Sequence, residues 1–400
     1  MFDPASVRFR GPLTSYVEGF WEELLRHGYA PLSARNLLYV AAHFSRWLEG
    51  RSLEPGEVTD ALVAAFLAHR RRRGYTHFLS PRALGPLVRY LRDLEVVPTP
   101  RPTVASSSID RFVGDYAQYL AGERGLTAST IRRYTDFARE FVAVRRDGPQ
   151  CERLRPADIT GFVLREARRC SIGHCKHQVC ALRSMLRYLY ATGRIRRDLT
   201  GCVPAIAGWR LAWLPKALEP EQVQRVLRST DARSPVGRRD AAIVRLLLRL
   251  GLRAGDVATL TLDDLDWRAG VLSLRGKGRR ESRLPLPQDV GRALASYLRD
   301  GRPPTSSRRV FLRSRAPHGA LGSGGVIAAV RQVLRRAGVD RGGSHLLRHT
   351  AATQMLRHGA SLPEIGHVLR HRHVDTTAIY AKVDLASLRT LAQRWPGGAA

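Results

Sequence analysis

The sequence predicts a mainly α-helical fold with one small β-sheet. Apolar residues recur at helical spacing through both N-terminal parts, whereas a strand–turn–strand pattern occurs only near the C-terminal side, in "VLSLRGKGRRESRLPLP" (271–287). Two proline-containing joints, 98–107 and 204–217, separate three parts of domain size. We therefore expect two helical modules, 1–97 and 108–203, followed by a mixed but mostly helical domain, 218–400.

The two N-terminal parts resemble each other. "ALGPLVRYLRDLEVV" (83–97) matches "ALRSMLRYLYATGRI" (181–195), and "LEPGEVT" (53–59) matches "LRPADIT" (154–160), with a third, longer pair further upstream. Matched blocks in the same order indicate a duplication. Both proline-containing segments have the composition of a helix start. Because the first copy lacks strand alternation, we predict that it is a second helical module and contains no β-sheet.

The strand pattern of the last part is limited to a few short segments. The hairpin at 271–287 supplies two strands, and "RRVFLRS" (308–314) has the composition of a short third strand. The acidic segment "TLDDLDW" (261–267) lies between a helix and a strand, and its composition predicts a turn. The rest of this part has helical periodicity.

The charge of the chain points to a polyanionic partner. Lys and Arg total 66 against 35 Asp and Glu, which gives a formal net charge of +31, so double-stranded DNA is the first candidate. No secretory signal is recognisable at "MFDPASVRFR", and no apolar run could span a bilayer, so no membrane partner is expected. The expected location is the bacterial cytoplasm, in association with the nucleoid.

The five cysteines favour a reducing compartment, because their odd number in a large chain argues against a disulfide framework. Cys170, His174 and His177 could share one helix face and hold zinc. The usual CxxC pair of structural zinc sites is absent, and cysteines packed as small apolar residues in a helical core are the favoured alternative. We expect no metal and no other cofactor.

Four motifs in the last part carry chemically useful side chains in a fixed order. "GLRAGD" (251–256) follows a helix, "RGKGRR" (275–280) forms the hairpin tip, "HLLRH" (345–349) begins a helix, and "VLRHRHVDTTAIY" (368–380) spans two more helices. On a helix, residues i, i+3 and i+4 share one face, as the two histidines and the arginine of the third motif would. In chain order the candidate site residues are Arg253, Asp256, Lys277, His345, Arg348, His349, His371 and Tyr380.

This ordered set resembles the tyrosine recombinase family, also called the phage integrase family. The family patterns are Gly-Leu-Arg-x-x-Glu/Asp, a lysine in a β-hairpin, His-x-x-Arg-His, and Leu-Gly-His followed by a tyrosine. The resemblance covers roughly residues 105–395. One departure is Arg370, which stands where the family usually has glycine before the histidine, and it puts the local turn geometry in question.

The resemblance implies a metal-independent enzyme that cuts and rejoins DNA through a 3′-phosphotyrosyl intermediate. It also implies strand exchange within a tetramer on two DNA sites, with partner recombinases as further candidates for association. The helical core-binding domain and the catalytic domain would form a clamp around the duplex. The segment "ASLRTLAQRW" (386–395) would pack against a neighbouring protomer.

The residue chemistry agrees with such a reaction. Phosphoryl transfer depends on positioning and on stabilising negative charge, and Arg253 and Arg348 can hold phosphate oxygens with a planar fork. Without an Asp/Glu cluster of the metal-binding sort, a side chain has to be the nucleophile, and Tyr380 is the candidate. In this hypothesis His345 accepts the phenol proton, Lys277 protonates the departing 5′ oxygen and His371 donates a hydrogen bond to the phosphate. Asp256 orients Arg253, and His349 has a structural or packing role.

Two other classes of function remain as alternatives. A type IB topoisomerase uses similar residues but acts alone, and a non-catalytic DNA-binding accessory protein would need the charge but not the site. We favour a site-specific recombinase of a mobile genetic element. The basic run "HRRRRGY" (69–75) is either a phosphate contact or a solvated helix end. Candidate DNA contacts are Arg71, Arg72, Arg132, Arg133, Arg183 and Arg187.

Overall fold

The computed structural model confirms the mainly helical fold with one small sheet. It describes residues 7–98, 107–145, 148, 151–207, 216–275, 281–340, 342–371, 373 and 376–383. The chain divides into two compact units, one formed by 1–99 together with 213–400 and the other by 100–212. Both breaks fall inside the joints at 98–107 and 204–217, while the division into three domains stays a prediction.

The first module contains four helices and, within residues 7–98, no strand. Pro31 occupies the first turn of the second helix, and the Thr59 hydroxyl accepts a 3.2 Å hydrogen bond from the Leu62 N–H at the start of the third. Aromatic side chains such as Phe20, Phe44 and Phe66 fill the core. The helices are α1 (Val17–Arg26), α2 (Pro31–Glu49), α3 (Asp60–Arg72) and α4 (Gly85–Asp93).

The proline-containing segment of this module begins a helix later than its composition indicates. A 3₁₀ turn covers Pro55–Glu57, and α3 starts only at Asp60. Val58 is extended, with ψ of 113°, and Thr59 then caps the helix. The predicted start is therefore met by a 3₁₀ helix with an early proline and Glu57 in its first turn, and the α-helix begins later, after the capping Thr59.

The second unit also contains four helices. The Ser107 hydroxyl caps the first of them by accepting a 3.0 Å hydrogen bond from the Asp110 N–H. Here the proline-containing segment does begin a helix, at Pro156. The core packs Phe112, Tyr116 and Tyr188 with aliphatic residues. The helices are α5 (Ser108–Gly122), α6 (Ala128–Ala143), α7 (Pro156–Arg169) and α8 (Ile172–Ala191).

Cys170 and Cys175 of this unit are held by hydrogen bonds within the helical bundle. The Cys170 thiol contacts the Glu166 carboxylate at 3.5 Å, and the buried Cys175 thiol contacts the Glu166 carbonyl at 3.4 Å. Across the described parts of the chain, no three His, Cys, Asp or Glu side chains are grouped so that they could hold a metal ion. The zinc alternative at Cys170, His174 and His177 is therefore not formed.

The C-terminal part is built around one buried helix, α10. Its segment 241–250 is buried at all positions except Arg245 and Arg249, and it packs against α12, α13 and α14. Arg245 donates a hydrogen bond from Nη1 to the Ala241 carbonyl at 3.2 Å, which gives its guanidinium an acceptor close to the core. The helices are α9 (Pro220–Arg228), α10 (Pro235–Leu250), α11 (Ala254–Thr259), α12 (Gln288–Asp300), α13 (Ser323–Arg336), α14 (Ser344–Arg357) and α15 (Leu362–Val368).

The sheet contains the predicted hairpin and a third strand at an unexpected place. It is antiparallel in the order β1 (Leu265–Asp266), β2 (Val271–Arg275) and β3 (Glu281–Pro285). Thus "TLDDLDW" forms a 3₁₀ turn and then β1, where only a turn was predicted. The segment 308–314 makes isolated bridges at Arg309 and Leu312 and is not a strand. Its residues 310–312 are buried in succession, so it lacks the alternation of a strand with one covered face.

None of the described helices is both long enough and apolar enough to cross a membrane.

Gly251, at the end of α10, is a position where the fold requires glycine. Its φ is +58°, and an added Cβ would lie 2.4 Å from Leu369 Cδ2. We predict that Gly251→Ala lowers the free energy of unfolding by about 1 kcal/mol for the left-handed backbone and by a further ~1–3 kcal/mol for overpacking. Gly270→Ala is the control, because Gly270 has φ of +63° with nothing within 4 Å. Equal losses in chemical denaturation of the two variants would contradict the clash.

Candidate active site

Arg253 is positioned by the break between α10 and α11. Gly251 ends α10 in the left-handed conformation, and Arg253 is the residue immediately before α11. Its backbone N–H donates to Asp256 Oδ2 at 2.9 Å, which supports the predicted pairing of these two residues through the backbone. Its exposed side chain donates from Nη2 to the Arg370 carbonyl at 3.0 Å.

Arg348 lies on α14 and is only 6% exposed. It donates from Nη1 to the Gly251 carbonyl and from Nη2 to the Leu369 carbonyl, the latter at 2.6 Å. Burial, followed by the neighbouring Arg253, lowers the pKa of Arg348 to about 10, so the guanidinium remains charged at neutral pH. This side chain joins the end of α10 to the end of α15.

The turn that follows α15 contains the family departure at Arg370. Its φ is +53°, which is the left-handed region that favours glycine and explains why glycine is usual there. The Arg370 guanidinium forms an ion pair with Asp256, and its carbonyl accepts the hydrogen bond from Arg253. These two contacts hold a backbone conformation that costs about 1–2 kcal/mol for a residue with a Cβ.

His371 follows this turn and faces the same cations. Its Nδ1 lies 2.7 Å from the Thr377 hydroxyl oxygen. Burial, then Arg348 and Arg253, lowers the pKa of His371 to about 4. The imidazole is therefore neutral at neutral pH in this arrangement.

Tyr380 lies in a 3₁₀ turn (Ala378–Val383) and is 1% exposed. Its hydroxyl shares a 2.8 Å hydrogen bond with Nδ1 of His349. Burial raises the pKa of Tyr380 to about 12, against the opposing effect of Arg348. Burial also lowers the pKa of His349, and His345 and Arg348 add to the effect.

The histidine in contact with Tyr380 differs from the one that sequence reasoning chose. His345 was given the role of proton acceptor, but the described hydrogen bond belongs to His349, while His345 is exposed one turn earlier on α14. Their spacing placed both on one face, so the sequence contained the signal for either choice.

Some predicted site residues are not placed with the others. Lys277 and the segment 386–395 lie outside the described residues, although both arms of the hairpin are present. Among the DNA-contact candidates, Arg71 donates to the Leu79 carbonyl and Arg183 to the Val203 carbonyl, each at 2.9 Å. The exposed members of that set are Arg71, Arg72, Arg132, Arg133 and Arg187.

Comparison with known proteins identifies the family of this chain. Residues 216–386 match the phage integrase family. A Sinorhizobium fredii protein named as an integrase/recombinase, y4rA, is 42% identical over 402 residues, covering 97% of this chain and 96% of its own length. The chain belongs to the phage integrase family. It is a tyrosine recombinase, a DNA-cleaving and rejoining enzyme.

Other relatives of this recombinase carry related names. The tyrosine recombinase XerD of Listeria monocytogenes (serotype 4b) is 30% identical over 290 residues, which is 70% of this chain and 96% of that protein. The crystal structure of the XerH site-specific recombinase bound to its palindromic difH substrate has a TM-score of 0.54 at 16% identity, covering 91% of this chain and 97% of XerH. That likeness shows a shared fold.

The depressed pKa of His371 predicts an acid-dependent loss of stability in this recombinase. The pKa falls from 6.5 to about 4 on folding, so the unfolded state binds more protons between these values, and stability present above pH 6.5 is lost as pH falls towards about 4. We expect His371→Gln to lose less thermal stability than the parent chain on acidification. His358→Gln, an exposed position, is the control. Parallel pH profiles for the parent and His371→Gln would contradict the buried neutral imidazole.

Proposed function

We propose that this recombinase acts on specific sites in double-stranded DNA and that Tyr380 forms a 3′-phosphotyrosyl link. The observation that carries the proposal is that Arg253, Arg348, His371 and Tyr380 lie close together, around the ends of α10 and α15 and beside α14. The charges of these residues act on one another, because Arg253 and Arg348 lower the pKa of His371 and Arg348 lowers that of Tyr380. The substrate named for XerH, difH, supports DNA as the partner.

The two arginines would stabilise the negative charge that gathers on the phosphate during cleavage. Arg253 is exposed and donates one hydrogen bond to the Arg370 carbonyl, whereas the buried Arg348 is fixed by two carbonyls. A fixed cation below the phosphate and a more exposed one beside it would stabilise the transition state without reorganising the core.

The tyrosine needs a partner that takes its proton, because its phenol is neutral at physiological pH. We propose His349 for this step, since its Nδ1 lies within hydrogen-bond reach of the hydroxyl and its lowered pKa keeps it neutral. His345 then lies nearby on the exposed face, where it can contact the phosphate or take over the proton after a side-chain movement.

The remaining roles concern the leaving group and the phosphate. Lys277, at the tip of the hairpin, would protonate the departing 5′ oxygen. His371 would donate a hydrogen bond to a phosphate oxygen, and Asp256 would keep Arg253 in place through its backbone. The phosphotyrosyl ester retains the energy of the broken phosphodiester bond. A second 5′-hydroxyl can therefore attack it and rejoin the DNA without a nucleotide cofactor.

The wider setting follows from the same reaction. We propose strand exchange in a tetramer on two DNA sites, with partner recombinases as candidate members, for the movement of a mobile genetic element in the bacterial cytoplasm and nucleoid. A requirement for two sites would distinguish this reaction from that of a topoisomerase.

We also propose that 1–97 and 108–203 are two related DNA-binding modules ahead of a catalytic domain at 218–400. Four helices in each support the duplication. The exposed arginines Arg132, Arg133 and Arg187 of the second module are the candidates for DNA contact there.

Removal of one hydroxyl tests the proposed nucleophile. We predict that Tyr380→Phe binds duplex DNA as the parent chain does but forms no covalent adduct on a nicked suicide substrate. The loss of the hydrogen bond to His349 should lower the free energy of unfolding by only about 1–2 kcal/mol. Denaturing electrophoresis would measure the adduct.

Tyr297→Phe is the matched control, because Tyr297 is also buried and its hydroxyl accepts a hydrogen bond from the Leu312 N–H at 3.2 Å. The adduct should persist in that variant. An adduct that survives in Tyr380→Phe would place the nucleophile elsewhere.

A substrate with a better leaving group tests Lys277. We predict that Lys277→Ala slows cleavage of an ordinary phosphodiester strongly, by the roughly 10²–10⁴-fold that is typical of a general acid. A 5′-phosphorothiolate substrate should restore the rate, because a thiolate leaves without protonation. Equal defects on both substrates in single-turnover kinetics would remove Lys277 from this role.

A further inference from the structure

The first module carries a basic cleft between α2 and the end of α3. It has a volume of about 560 Å³, and neither aspartate nor glutamate lines it. The polar side chains of the cleft are His43, Arg46, Arg51, His69, Arg70 and Arg73.

Arg70 forms the floor of this basic cleft and is 6% exposed. Its Nη1 donates to Nδ1 of His43 at 3.2 Å and its Nη2 donates to the His77 carbonyl at 3.4 Å, while its Nε is buried without a partner. The guanidinium carbon lies 4.1 Å from the centre of the Tyr75 ring. The cation is therefore held in place, by neutral acceptors alone, with one donor unused.

Trp47 forms the adjoining wall and presents a second unused donor. Its side chain is 8% exposed, and its indole N–H is buried without a partner. Arg51 covers the ring, with its guanidinium carbon 4.0 Å from the ring centre, and returns an N–H to the Trp47 carbonyl at 3.3 Å. The exposed Arg46, Arg51 and Arg73 around one concave surface, with Arg70 held at its floor, match the needs of an anion with several acceptor oxygens.

The cleft is only partly repeated in the second copy of the duplication, where Arg145 matches Arg51. With Trp47 aligned on Phe141, the positions of His43 and Arg46 are occupied by Phe137 and Glu140. The second copy therefore has an apolar ring and a carboxylate where the first has an imidazole and a guanidinium. A feature that only one copy possesses is not required for the shared helical packing.

We propose that the basic cleft of the first module binds a backbone phosphate of duplex DNA, which gives this recombinase a DNA contact separate from its catalytic residues. The proposal rests on DNA being the substrate of the proposed function. It moves the contact within the run 69–75 from Arg71 and Arg72 to Arg70 and Arg73, since only the latter pair lines the cleft. Arg71 is instead engaged with the Leu79 carbonyl.

The test uses the full chain and two duplexes, one limited to the core site and one extended on both sides. Arg46→Gln combined with Arg73→Gln removes two exposed cleft cations. For the extended duplex, the slope of log affinity against log salt should become shallower by about 0.9, the value for the one phosphate that the cleft variant no longer neutralises. The preference for the extended duplex over the short one should fall as well.

The matched control, Arg10→Gln combined with Arg82→Gln, removes two exposed arginines of the same module that do not line the cleft. Its slope should stay close to that of the parent chain. An equal change in both double variants would show a general charge effect and overturn the cleft as a site. A parent-like slope in the cleft variant would overturn it too.

Two further measurements distinguish duplex DNA from other sources of phosphate, and a failure of the cleft proposal from a failure of the proposed function. Inorganic phosphate and single-stranded DNA should displace the extended duplex only weakly. Strong displacement by either would overturn the proposal that the cleft binds a phosphate of duplex DNA. Adduct formation by the parent chain on a short nicked duplex reports the proposed function alone. If the adduct forms while the cleft variant behaves as the parent chain does, only the cleft proposal fails.

Discussion

The buried guanidinium of Arg348 is the constraint on which the site depends. It donates hydrogen bonds to the carbonyl of Gly251 at the end of α10 and to the carbonyl of Leu369 after α15. Both carbonyls lie close in sequence to residues of the site. A buried cation is tolerated only where its donors are satisfied, and a planar fork can reach two carbonyls in a way that a single ammonium cannot. Because Arg253 follows Gly251 and His371 follows Leu369 by two residues, the same pair of bonds brings both to the α14 face that carries His349.

Arg370 shows how a position normally suited to glycine can hold another residue. The left-handed backbone there costs stability, and the Arg370–Asp256 ion pair with the bond from Arg253 offsets that cost. Arg370 therefore brings a third guanidinium close to the site. Like Arg253, it lowers the pKa of Arg348. Polar contacts therefore stabilise the left-handed turn at Arg370, whereas glycine would adopt the same conformation without steric cost.

The order and spacing of the motifs were enough to predict the fold class, the hairpin and the helix break before Arg253, because each is decided by local chemistry. Gly251 ends a helix and Val271–Arg275 alternates, and both signals are visible in a few residues. The third strand at Leu265–Asp266 was not predictable, since two residues carry no periodicity. The contact between His349 and Tyr380 joins residues 31 apart, and the choice between two histidines on one face depends on how the chain returns after α15. The basic cleft likewise depends on α2 and α3 meeting.

The charge of the substrate completes the chemistry of Tyr380. In the described arrangement the phenol is protonated, because burial outweighs the influence of Arg348, and His349 is a weak base because burial, His345 and Arg348 disfavour its cationic form. A phosphate bound beside Arg348 would offset that positive charge and make His349 easier to protonate. The same phosphate would disfavour a free phenolate, so in the proposed reaction the proton would move to His349 as the Tyr380 oxygen attacks. Substrate binding would thus strengthen the proposed base when the proposed nucleophile requires it, and a stable phenolate before binding would be unnecessary.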